Sequence, residues 1–329
     1  MIHEVFPVIY STLNAEALVD RVLACYPLDP VRRCQFWHRG LSDVYVVETS
    51  RQMYVLRVSH YHWRSKSEID FELELLDFLD RHHLPVAAPL TTIAGDLSVT
   101  IAAPEGDRYA ALFPYAPGTV PVGDFNPTQS FAIGETLAKI HQICQKFRPR
   151  AVRQSLTPDY LLEDALEAIA PFLKHRPHDL QQLREAIGAI EARLAELPQH
   201  SPFWTVCWGD PHSGNVHFTP SGQMTLFDFD QCGYGWRAFD IAKFWQVSLR
   251  AGTSKAVRQA FLEGYQGVEP LSQRELDGLQ SLTQMAHLWM WSINLHNARL
   301  YNYSRLDESY FTQRLEHLKL LRSSSWQLF

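Results

Sequence analysis

The chain has few cysteines, no excess of positive charge and no long uninterrupted apolar run, and each shortage closes off a class of protein. Its five cysteines (Cys25, Cys34, Cys144, Cys207, Cys232) are odd in number and scattered. With no Cys-x-x-Cys pair among them, they predict neither a disulfide framework nor a zinc knuckle, and they suit a reducing compartment. A formal net charge of -6 without a basic arm argues against non-specific attraction to nucleic acid or to an anionic membrane. The N-terminal stretch carries Glu4 and Pro7 in place of an apolar signal core, and residues 286–295, the most apolar late stretch, are too short and interrupted to span a bilayer. A soluble, cytoplasmic protein is expected. What the chain does have is apolar and aromatic residues, 46% and 12% of 329 positions. That is enough for two lobes with ordered cores.

The hydrophobic pattern changes character along the chain. Residues 14–25 repeat apolar positions at helical spacing behind Asn14, a suitable N-cap. Short β-rich runs follow at 34–38, 44–49 and 54–58, then a helical stretch containing Glu72, a break at Pro85 and Pro89, and two more strands at 97–102 and 108–113. This predicts an antiparallel sheet of about five strands. From 128 onward the pattern is helical, with segments at 128–147, 158–172, 178–197, 239–249, 254–265, 272–300 and 308–322. On the first of these, His141 reads as a packed histidine, because no second ligand lies at helical spacing.

Residues 206–228 interrupt the helices. Two short apolar strands flank Gly209-Asp210-Pro211-His212-Ser213-Gly214-Asn215, and a turn at Pro220-Ser221-Gly222 brings the chain back to Asp228. Asp210, Asn215 and Asp228 are a carboxylate, an amide and a second carboxylate, the oxygen donors and proton acceptor needed to hold Mg²⁺ and orient a hydroxyl. The interval from Asp210 to Asn215 equals the Asp-x-x-x-x-Asn of a kinase catalytic loop. The same residue types also make ordinary polar turns, so spacing alone leaves that reading open. His212 and His217 lack the further ligands a zinc site needs.

Trp208 to Asn215, followed by Leu226-Phe227-Asp228-Phe229-Asp230 and Phe239-Asp240-Ile241-Ala242, resembles the aminoglycoside phosphotransferase and choline kinase superfamily, whose signature is His-Gly-Asp-x-His-x-x-Asn. The resemblance extends over most of the chain. It implies an α+β, protein-kinase-like fold of two lobes: a small antiparallel sheet over residues 1–113 that binds nucleotide, a hinge at 114–118, and a mainly helical lobe at 119–329 carrying the catalytic hairpin and acceptor site. It further implies ATP and Mg²⁺ as cofactors and transfer of the γ-phosphoryl group to an alcohol of a small-molecule acceptor. Asp210 is then the catalytic base, and Asn215 and Asp228 are the metal ligands. Ser42, Arg57, Glu72, Phe113 and Tyr115 lie at the nucleotide, with an Arg57 to Glu72 ion pair, and Asp240 braces the loop.

Two positions depart from the pattern: Trp208 stands where the family has His, and Arg57 where a phosphate-binding Lys is usual. Phe113 and Tyr115 read equally well as packing residues. Asp230 and Trp291 are candidate acceptor contacts, Trp291 through cation–π attraction, although an aromatic-rich helix also reads as core. Only twelve positions separate Asp228 from Asp240, too few for a phosphorylated activation segment. Trp63-Arg64-Ser65, residues 84–89 and the C-terminal helices resemble the bacterial stress-response kinase branch, which keeps a protein Ser/Thr kinase as an alternative. Trp208 and Arg57 keep a nucleotide-binding pseudokinase as another. Neither nucleic acid nor membrane is an expected partner.

Overall fold

The computed structural model describes residues 6–327. The chain forms two compact units. The first holds the described residues up to Pro117 and two returning segments, Arg148–Arg153 and Thr225–Asp230; the second holds Gly118–Phe147, Gln154–Met224 and the residues from Gln231 onward. The first crossing falls at the expected hinge, but the units are not the contiguous lobes expected from the sequence. The 225–230 segment joins the first unit because Leu226 N–H donates to the Pro85 carbonyl at 2.7 Å and its own carbonyl accepts from Ala87 N–H at 2.9 Å. The 148–153 segment joins it because the Ser67 hydroxyl bonds both the N–H and the carbonyl of Val152.

In the first unit, α1 (Ala15–Arg21) precedes β1 (Val31–Arg39), β2 (Ser42–Thr49) and β3 (Met53–Ser59), then α2 (Lys66–Arg81), β4 (Val99–Ala103) and β5 (Gly106–Pro114). The strands form one antiparallel sheet in the order β1-β2-β3-β5-β4. Strand side chains alternate between faces. Tyr45 and Val47 of β2, Tyr54, Leu56 and Val58 of β3, and Ala110 and Leu112 of β5 therefore share one face, and they pack with Leu18, Val22, Leu23 and Tyr26. Arg57, between Leu56 and Val58, points to the other face. α2 starts in a capping box, Ser65 with Glu68, and buries Ile69, Phe71, Leu73 and Leu76 together with one charged residue, Glu72.

The second unit contains α3 (Pro127–Cys144), α4 (Pro158–Ile169), α5 (Pro177–Leu194), β6 (Trp204–Cys207) and β7 (Val216–Phe218). The chain crosses to the first unit within β8 (Met224–Leu226) and returns for β9 (Gly233–Trp236), α6 (Arg237–Ala251), α7 (Lys255–Val268), α8 (Gln273–Tyr301) and α9 (Glu308–Arg322). α4, α5, α6 and α9 all pack on α8. β6 pairs antiparallel with β9, setting Cys207 opposite Gly233. α3 and α7 approach closely at two glycines. A Cβ on Gly134 would lie 2.0 Å from the Phe261 carbonyl oxygen, and one on Gly264 would lie 2.1 Å from that of Phe131. No helix among the described residues is long and apolar enough to cross a membrane.

Candidate active site

The loop after β6 is fixed from behind by Asp240, in the first turn of α6. Its buried carboxylate accepts from the backbone N–H of Trp208 and of Gly209, each at 2.7 Å, and from His141 Nε2 at 2.9 Å. His141 Nδ1 meets the Tyr265 hydroxyl at 2.8 Å. The brace uses backbone N–H groups at Trp208, so it does not require the family's histidine there; the indole is buried. Gly209 has φ +86°, and a Cβ there would lie 2.1 Å from the Gln231 carbonyl oxygen. Only glycine fits both conditions.

His141, Asp240 and Cys207 place their ligand atoms within 4.8 Å of one another, yet the group is structural. His141 and Asp240 bond each other, the Cys207 thiol donates to the Trp236 carbonyl at 3.2 Å, and burial pushes that thiol well above its ordinary pKa. A metal would need the thiolate.

Beyond the brace, Asp210 presents its carboxylate. Oδ2 accepts from Gln231 Nε2 at 2.8 Å and lies 3.5 Å from His212 Nε2, and Oδ1 lies 3.3 Å from Lys243 Nζ. Burial works to raise the Asp210 pKa, but the Lys243 charge and the His212 bond outweigh it and hold the carboxyl well below its usual range. Asp210 is therefore an ionised acceptor at neutral pH. Asn215 closes a short 3₁₀ turn, Ser213–Asn215. Its Nδ2 donates to the Asp210 backbone carbonyl at 3.1 Å, which fixes the amide and leaves Oδ1 as its acceptor atom.

In the first unit, Arg57 Nη2 lies 2.6 Å from Glu72 Oε2 and Nη1 lies 3.5 Å from Asp228 Oδ1. Its guanidinium sits 5.1 Å from the centre of the Phe113 ring. Phe113 is buried, so it supports Arg57 as a packing residue. Asp228 is 52% exposed at its side chain and takes a left-handed backbone, φ +57°. Tyr115 follows β5, with its N–H spent on the Met53 carbonyl at 3.1 Å. Ser42 begins β2 opposite Ser59 and is buried, and the neighbouring Gly40 N–H bonds the Ser42 carbonyl at 3.0 Å. The next residue, Asp43, is committed to Arg108, Arg39, Tyr10 and His60, so this turn is more closed than a phosphate cradle would be.

One expectation is corrected. Trp291 is fully buried, beside His287 and Phe311, so no ring face is open for a cation to stack on. Asp230 is engaged within the first unit: Oδ2 accepts from Trp63 Nε1 at 2.6 Å, Arg64 Nε lies 3.7 Å away, and Arg64 and Arg153 both donate to its backbone carbonyl. It ties the 225–230 segment to the start of α2. Sequence reasoning missed Gln231 and Lys243. Lys243 had a signal, a lone lysine within the apolar run Ile241-Ala242-Lys243-Phe244-Trp245.

Comparison with known proteins gives the chain's family and its shared fold. Residues 34–279 match the phosphotransferase enzyme family. The chain is 55% identical over 326 residues to a Synechocystis protein, uncharacterized protein sll1119, covering 99% of this chain and 90% of that one. It is 26% identical over 213 residues to the amicoumacin kinase of Bacillus subtilis, covering 62% and 61% of the two chains. A solved amicoumacin kinase in complex with AMP-PNP, Ca²⁺ and Ami superposes with a TM-score of 0.79 at 20% identity, over 94% of this chain and 93% of that one, which shows a shared fold. The chain belongs to the phosphotransferase enzyme family and is a phosphotransferase acting on a hydroxyl group.

Proposed function

We propose that the protein transfers the γ-phosphoryl group of ATP, with Mg²⁺, to an alcohol of a small-molecule acceptor. The observation that carries this is Asp210, a partly buried, ionised carboxylate held by Gln231 and Lys243 on a loop that Asp240 fixes through two backbone N–H groups. Such a group orients a hydroxyl and takes its proton late in a loose transfer. The acceptor oxygen forms a bond to the γ-phosphorus, the bond from that phosphorus to the β-phosphate oxygen breaks, the hydroxyl proton passes to Asp210, and ADP leaves. Arg57, oriented by Glu72 and Phe113, neutralises phosphate oxygens with a planar fork.

Asn215 Oδ1 and the exposed Asp228 carboxylate are each hard oxygen donors of the kind Mg²⁺ takes. The bound ion would neutralise charge on the triphosphate. The related kinase of Bacillus subtilis is named for amicoumacin, a small molecule, which supports an acceptor of that scale. The test is Mg-ATP-dependent ADP release over homoserine, choline, ethanolamine, aminoglycosides and hydroxy acids, beside Asp210→Asn. Acceptor-stimulated release is expected to fall by about 10²-fold or more in the variant. Equal stimulated rates in the two proteins would remove Asp210 from the mechanism.

A further inference from the structure

Next to Asp210, the second unit gathers a set of polar side chains, some of them fully buried and incompletely hydrogen-bonded, with Arg250 exposed at the end of α6. At helical spacing α6 turns Lys243, Gln246 and Arg250 to one side, α8 does the same with His287 and Trp291, and α9 with Tyr310, Arg314 and His317. α6 and α9 both pack on α8. The His287 and His317 ring centres are 4.8 Å apart, His287 Nε2 bonds the Arg314 carbonyl at 3.1 Å, and the Arg314 guanidinium lies 5.2 Å from the Tyr310 ring centre.

Both amide atoms of Gln246, His287 Nδ1, Trp291 Nε1 and His317 Nε2 make no hydrogen bond among the described residues. Lys243, Gln246 and Trp291 are 0% exposed and His287 is 1%. Buried polar atoms are ordinarily bonded. Those left open on these helix faces are groups that a polar ligand would bond.

The charge sets the kind of ligand. Lys243 faces Asp210, while Arg250 and Arg314 have no ion-pair partner among the described residues. The carboxylates of α9 are engaged elsewhere, Glu308 with His175 and Arg176 and Glu316 with Lys319. Burial and the neighbouring positive charges keep His287 and His317 neutral, so they serve as hydrogen-bonding groups. With Asp210 and Lys243 cancelling, the surplus is two guanidinium charges.

We propose that the acceptor is an anionic alcohol, its hydroxyl presented to Asp210 and its carboxylate or phosphate bound by Arg250 and Arg314, with Gln246 and His287 bonding its remaining polar atoms. This rests on the phosphotransferase reading above. A quaternary ammonium acceptor would meet like charges here, the reverse of the stacking expected from the aromatic content of α8.

The test is calorimetric titration of the protein saturated with Mg-AMP-PNP, using glycerol phosphate, glycerate, glycerol and choline as probes. One of the two anions is expected to bind at least about 10-fold more tightly than glycerol or choline, and which one identifies the anion as phosphate or carboxylate. Arg314→Gln should weaken that anion about 10-fold or more and leave AMP-PNP unchanged, which also shows that the variant is folded. Anions binding no better than glycerol, choline binding best, or unchanged anion affinity in Arg314→Gln would each overturn the proposal. ADP release is recorded in parallel. Asp210-dependent release stimulated by choline alone overturns the anion site and leaves the kinase reading standing. Arg314-dependent anion binding without release supports the site and counts against the kinase reading alone.

Discussion

Asp228 holds its backbone at φ +57°, which costs most L-residues about 1–2 kcal/mol and which Asp and Asn tolerate best. Its side chain is half exposed and its approach to Arg57 is a long 3.5 Å, so that pair adds little to stability. Shape and charge can therefore be separated. Asp228→Asn keeps the left-handed turn, so the thermal midpoint should move by no more than a few degrees while Mg²⁺-dependent turnover falls by about 10²-fold or more. Asp228→Ala should lose turnover and roughly 1 kcal/mol of stability as well. If Asp228→Asn keeps wild-type turnover, Asp228 is not a metal ligand. At this scale the sequence is informative where chemistry is set by short spacing. Asp210, Asn215 and Asp228 lie on one short stretch, and Arg57 and Glu72 sit on neighbouring elements. Lys243 and Gln231 reach Asp210 only through the packing of α6 and the turn after β8, which no local pattern encodes. The burial of Asp230 and Trp291 was not legible, because burial is a tertiary property.

The elements were legible because their ends are written locally. Asn14, Ser65, Asn126, Thr157, Ser254, Ser272 and Asp307 each cap a helix with their own side chain. The close contact of α3 with α7 was not legible, because it depends on two glycines from helices far apart in the chain. Gly in a helix interior is normally worse than Ala by up to about 1 kcal/mol, so an ordinary helix should gain from Gly134→Ala. Here the new methyl group would meet the Phe261 backbone oxygen at 2.0 Å, and backbone yields less readily than a side chain. Gly134→Ala should therefore destabilise the protein by about 1–3 kcal/mol. A urea midpoint that rises would show that the two helices can separate without cost.

Across the whole molecule, the returning segments were not legible, because Leu226 finds Pro85 and Ala87 across a sequence gap that carries no shared pattern. The distribution of titrating groups leads to a prediction for both units. In the first, burial works to raise the Asp43 pKa, but bonds from His60, Arg108, Tyr10 and Arg39 hold it far below the usual range. In the second, Lys243 and His212 do the same for Asp210 against its burial, while burial and the neighbouring charges depress His287 and His317. All four groups titrate lower in the folded protein than in the unfolded chain. Between the two values the unfolded chain binds more protons, so each contribution is complete above the unfolded pKa and is lost as pH falls through the folded one. The histidine contributions begin to fail below about pH 6.5 and the aspartate contributions below about pH 3.9. The urea midpoint, followed by tryptophan fluorescence, should be flat above about pH 7 and fall in two stages on acidification. His287→Asn should remove much of the first stage and leave the second, because it deletes the most deeply buried of the two imidazoles without touching either aspartate. A single loss beginning near pH 4 in the wild type would mean that His287 and His317 accept protons freely within the fold, and that the positive charges of Arg250 and Arg314 do not reach them.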